Sequence, residues 1–175
     1  MNPSKYNNIQ VALHWLVAIL ILFMLFMGTF VMTQTPNSDP SKLAALRGHM
    51  IFGGVILVLT LLRLVWRKKS AQPPHADTGN ALLDKLGIAA HYGLNILTLL
   101  VAASGIGIAM QAGLPGIVFG GEGNLPADFW DHPARLAHGL LTKVLFALIV
   151  LHVVGALYHQ FVVKDRLFAR IWFGR

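Results

Sequence analysis

The sequence contains no cysteine. Disulfides, thiolate metal sites, iron–sulfur clusters and covalent haem attachment through thioethers are therefore excluded, and any metal must be held by nitrogen, oxygen or methionine sulfur. Charge is also scarce, with 12% charged residues against 55% hydrophobic ones in 175 residues, and a mean hydropathy of +0.63. A soluble domain carries about 25% charged residues, so this composition belongs to a membrane protein. Only seven residues are acidic, and none lies well inside an apolar run. That argues against a carboxylate-bridged metal site or an acidic proton relay within the bilayer. The formal charge of +7 would suggest a nucleic-acid partner if the basic residues formed one face of a soluble fold. Here they flank apolar runs, so membrane topology explains them and no nucleic acid is expected.

A membrane-spanning helix needs about 20 mostly apolar residues. Four segments qualify: 10–33, 47–67, 86–111 and 134–163. They are separated by turn-forming stretches, Thr35-Pro36-Asn37-Ser38-Asp39-Pro40, Gln72-Pro73-Pro74 and Gly120-Gly121-Glu122-Gly123-Asn124-Leu125-Pro126. The first run has no charge between Lys5 and Asp39 and no clear cleavage site after it, so it reads as a retained span. The expected fold is all-α: an integral membrane four-helix bundle, with residues 1–175 as a single transmembrane domain. Lys5, Arg63, Arg67, Lys68, Lys69, Lys85, Lys164, Arg166, Arg170 and Arg175 fall at the termini and second connection, whereas the first and third connections hold only Lys42, Arg47 and Arg135. The positive-inside rule then places both termini in the cytoplasm. Lys143 lies within the fourth span, where its ammonium must snorkel or meet an acidic group.

Histidine is the polar residue that does enter the spans. His14, His49, His91, His138, His152 and His159 lie in or at the ends of the helices. His138 and His152 are fourteen residues apart, which leaves them about 40° apart around a helix and about 21 Å apart along it. One face can thus serve two stacked cofactors. Haem suits such a site, because its flat macrocycle fits between helices and two imidazoles complete the coordination of iron. At the outer end, His49 and His138 are paired by elimination as ligands. At the cytoplasmic end His14, His91, His152 and His159 compete. Depth favours His14 with His159, whereas inter-haem spacing favours His14 with His152. Small residues near these positions, Ala18, Gly53, Gly155 and Ala156, leave room for a porphyrin face or for close helix packing. Arg135, three residues before His138, and Arg47 are candidates to neutralise haem propionates.

The segments Ile9-Gln10-Val11-Ala12-Leu13-His14-Trp15-Leu16, Gly48-His49, Ala137-His138-Gly139 and Leu151-His152, followed by His159, resemble the bacterial cytochrome b561 family over essentially the whole chain. The resemblance implies a bacterial inner-membrane protein with two haem b groups, one on His14 and His152 and the outer one on His49 and His138. Members include a superoxide oxidase that passes electrons to ubiquinone. By that likeness His91 and His159 are candidates for a quinone site; superoxide being an anion, Arg47, Arg135 and Lys42 are candidates for attracting it at the outer surface. Membrane lipid, ubiquinone and superoxide are then the partners. A competing reading is a membrane-anchor cytochrome subunit working between quinone and a separate periplasmic redox partner. A more distant one is a haem-free metal transporter.

Overall fold

The structure is a computed structural model that describes residues 3–173, so Arg175 of the basic C-terminus lies outside the described residues. Its four long helices are α1 (Asn8–Phe26), α2 (Ser41–Lys69), α3 (Ala81–Gln111) and α4 (Pro133–Tyr158), followed by a short α5 (Leu167–Arg170). Helices α1 and α4 continue through wider π-helical turns, Met27–Met32 and His159–Val163, and a third such turn, Gly116–Gly120, follows α3. All four are long and apolar enough to cross a bilayer.

The helix ends are set by local hydrogen bonding. Asn7 and Gln10 form a capping box: the Gln10 amide donates to Asn7 Oδ1 at 2.9 Å and the Asn7 amide donates to Gln10 Oε1 at 3.2 Å. The Ser41 hydroxyl and, at 2.8 Å, the Ser41 amide donate to the Asp39 carboxylate and hold its pKa below the usual carboxylate value. Asn80 Oδ1 accepts from Leu82 N at 2.9 Å and caps α3. Helices α2 and α3 start at Ser41 and Ala81 rather than near 47 and 86, the first just after the Asp39–Ser41 bond and the second at its Asn80 cap. Hydropathy marks the hydrocarbon thickness, whereas the helical backbone runs on into the interface.

Helix α1 packs on α2, α2 on α3 and, most extensively, α3 on α4. Among the described residues, the segments nearest the two termini meet at one end of the bundle. There the Tyr6 amide donates to the Arg170 carbonyl at 3.1 Å, Trp15 Nε1 donates to the Ile171 carbonyl at 2.8 Å, and Arg170 Nη1 donates to the Pro74 carbonyl at 3.0 Å. The first and third connections close the opposite, distal end, tied by Asn37 Nδ2 donating to the Pro126 carbonyl at 2.8 Å. The buried cluster Leu46, Ala109, Leu114 and Val118 lies beneath them. Elsewhere Phe26, Phe30, Leu136, Val154 and Phe161 are exposed along the helices. Such a surface would aggregate in water and is at home in lipid.

Candidate functional site

The distal half of the bundle contains a cavity of about 200 Å³. His49 from α2 and His138 from α4 line it, together with Gly53, Gly54, Ala102 and Gly105. The two imidazole ring centres are 6.2 Å apart, with their planes at 70°. Two imidazoles on opposite sides of one metal, each with a bond of about 2 Å, bring their ring centres to roughly 6 Å. Gly105 lets the cavity reach the His138 ring, since a Cβ there would stand 3.3 Å from its Cε1 atom.

The hydrogen bonding of His138 suits it to ligation. Its Nδ1 lies 3.1 Å from the Val101 carbonyl and 3.0 Å from Ser104 Oγ, and that hydroxyl already donates to the same carbonyl at 2.8 Å. A carbonyl only accepts, so Nδ1 carries the proton and Nε2 keeps its lone pair for a metal. His49 Nδ1 is buried without a hydrogen-bond partner among the described residues. These donors fit an iron–porphyrin group held between α2 and α4.

At the end where the termini meet, α1 brings His14, α3 brings His91 and α4 brings His152. His14 lies near enough to both other histidines and Arg63 for their charges to interact. His91 and His152 pack edge to face with ring centres 4.9 Å apart. That is closer than two imidazoles on opposite sides of one iron can stand, so the pair is in direct contact. His14, from α1, is the remaining imidazole near His152 at this end. His159 stands apart from this group: its Nδ1 lies 2.7 Å from Asp165 Oδ2 in the turn beyond α4.

The proposed outer cations have differing surroundings. The Arg47 guanidinium donates through Nε at 3.1 Å and Nη2 at 2.7 Å to the Val118 carbonyl. Arg135 stacks over Trp130 with its guanidinium carbon 4.5 Å from the ring centre. Lys42 is only 4% exposed, and its ammonium donates to the Met32 carbonyl and, at 2.7 Å, to the Thr35 carbonyl. It is turned inward, away from any anion at the surface. Lys143 is exposed on α4 and does not line the cavity.

Two polar groups beside the histidines escaped notice in the sequence. Asn95, one turn after His91, is buried and donates from Nδ2 to the His91 carbonyl at 2.7 Å, while its Oδ1 accepts from Arg63 Nη1 at 3.0 Å. Asp165 pairs with His159. The signal for Asn95 was a polar residue one helical turn from a histidine inside a span. Asp165 lies past the apolar run and carries no such signal.

The prokaryotic cytochrome b561 family model matches residues 5–174. A cytochrome b562 of Cereibacter sphaeroides is 31% identical over 170 residues, which cover 95% of this chain and 94% of that protein. Cytochrome b561 homolog 2 of Escherichia coli K12 is 28% identical over 174 residues, 97% of this chain and 92% of the relative. The Yersinia pestis protein named "Probable superoxide oxidase CybB" is 26% identical over 174 residues, 96% of each chain. Match and helices agree: the chain belongs to the prokaryotic cytochrome b561 family, haem b-binding electron-transfer proteins that pass several times through the bacterial inner membrane.

Proposed function

We propose that this chain is a dihaem cytochrome that oxidises superoxide at the periplasmic surface and reduces ubiquinone near the cytoplasmic one. The observation that carries this reading is the separation of the imidazoles into two groups at opposite ends of the bundle. His49 and His138 lie at the distal end, and His14, His91 and His152 lie where the termini meet. Helix α4 contributes His138 and His152 to the two groups, about 21 Å apart along its axis. When bound, haem supplies one-electron transfer at each end. His49 and His138 hold the outer group, and His14 and His152 the inner one. Both termini are cytoplasmic, because the end where they meet carries Arg67, Lys68 and Lys69 on α2 and Arg166 and Arg170 beside α5.

Two superoxide anions each give up one electron, and ubiquinone takes up two electrons and two protons. Arg135 provides positive potential at the outer surface, where it draws in the anion or neutralises a propionate, and Arg47 adds to it. His91, packed on His152, and His159, paired with Asp165, supply protons on the cytoplasmic side. The superoxide step draws support from the name carried by the Yersinia relative.

The test is stopped-flow reduction of the purified protein by superoxide, with and without a soluble ubiquinone. Rapid haem reduction by superoxide alone, with reoxidation on adding quinone, supports the reading. Haem reduction that requires an added periplasmic protein would overturn it and make the chain a membrane-anchor subunit. Absence of haem absorption bands from protein purified out of haem-replete cells would overturn the cytochrome reading as well.

A further inference from the structure

Arg63 projects from α2 inside a membrane span and is partly buried. Among the described residues no carboxylate lies within ion-pair distance of it, the one such contact being His159 with Asp165. Its partner is the neutral side chain of Asn95, whose Oδ1 accepts from Arg63 Nη1 at 3.0 Å. Asn95 is itself locked, since its Nδ2 donates to the His91 carbonyl at 2.7 Å. That bond fixes which end of the amide faces the guanidinium. Through Asn95, Arg63 is tied to His91, whose ring packs on His152 with centres 4.9 Å apart. A permanent cation in a span is costly and is retained where it serves a site.

We propose that Arg63, held in place by Asn95, is a fixed positive charge that raises the reduction potential of the inner haem and so draws electrons inward from the outer one. The proposal rests on the reading that His14 and His152 hold that haem. Reduction adds one electron to the group, and a nearby positive charge in a low-dielectric setting favours the reduced form. Arginine suits the task because it stays protonated at any working pH, so the bias does not titrate away. Asn95 is a positioning residue, orienting the guanidinium without cancelling its charge as an aspartate would.

The test is a spectroelectrochemical titration of the full-length, haem-loaded protein in lipid nanodiscs. Arg63→Gln is expected to shift the inner haem's one-electron equilibrium about tenfold toward the oxidised form, ~59 mV for one electron. The outer haem should hold its potential. Asn95→Asp, nearly isosteric, should lower the inner potential in the same direction by placing a carboxylate on Arg63. Arg63→Lys, which keeps the charge, should stay close to the parent protein. Unmoved potentials in Arg63→Gln and Asn95→Asp, or equal shifts in both haems, would overturn the proposal. His152→Ala identifies the inner haem by its loss. Retention of two normal haems in that variant overturns the ligand reading and the proposal with it, whereas unmoved potentials overturn the charge effect alone.

Discussion

The imidazoles of His49 and His138 face one another across the distal cavity with ring centres 6.2 Å apart, although the residues lie on different helices and 89 positions apart in sequence. Their spacing matches what one iron between two nitrogens demands. Replacing either with alanine should remove one of two haems, halving the haem-to-protein ratio while the inner haem spectrum persists. Pyridine haemochrome assay on purified variants checks this, and retention of two unperturbed haems would remove the pair from the ligand set.

Gly105 offers a second route to the same cavity without touching a ligand. A Cβ at this position would lie 3.3 Å from His138 Cε1, so Gly105→Ala requires the ring to yield by a few tenths of an ångström. Both haems should remain bound, with an altered outer-haem spectrum. Gly105→Leu fills the cavity outright, and its expected outcome is loss of the outer haem alone. If Gly105→Leu binds two haems normally, the porphyrin does not occupy this space.

The hydrophobic runs reveal the four spans because lipid demands about 20 apolar residues and rewards little else. The fourteen-residue spacing of His138 and His152 likewise exposes the logic of α4, since helical geometry is rigid over that distance. What surrounds the histidines was less legible. The Val101 carbonyl that fixes the His138 tautomer is backbone and leaves no mark in the sequence. Lys42 reads as a surface cation, yet it folds inward to satisfy carbonyls left open by the π-helical turn after α1. Asp165 lies outside the spans and meets His159 only because the chain reverses between them.

Arg135 keeps its guanidinium free of any carbonyl or carboxylate contact among the described residues, whereas Arg47 is engaged with the Val118 carbonyl and Lys42 is buried. Arg135→Gln should slow haem reduction by superoxide several-fold at low ionic strength. The difference should shrink as salt rises, because the screening length falls from about 10 Å at 0.1 M to about 3 Å at 1 M. Stopped-flow rates over a salt series check this. A deficit independent of salt would mean that Arg135 acts through the Trp130 contact instead.

Lys42→Met gives the contrasting result. It removes charged hydrogen bonds to the Met32 and Thr35 carbonyls and leaves those acceptors unpaired beneath the first connection. The expected cost is about 1.5–3 kcal/mol per hydrogen bond lost to a charged group. It should appear as a lower temperature for heat-induced haem release, with the salt dependence of superoxide-driven reduction unchanged.

The turn after α4 joins a strained backbone to an acid–base pair. Lys164 and Arg166 have φ of 61° and 56°, a left-handed conformation that side chains other than glycine adopt at a cost. Between them Asp165 accepts from the Leu167 amide at 3.0 Å and meets His159 Nδ1 at 2.7 Å. Two roles are separable by substitution. If the pair relays protons to ubiquinone, Asp165→Asn should slow quinone reduction by roughly 10²-fold, within the range of acid–base contributions, while haem reduction by superoxide keeps its rate. If it only clasps the turn, Asp165→Asn should lower thermal stability without slowing quinone reduction. Lys164→Gly isolates the strain: it should stabilise the turn by about 1 kcal/mol and leave both electron-transfer rates unaltered. A Lys164→Gly variant that lost quinone activity would tie the strained geometry itself to the reaction.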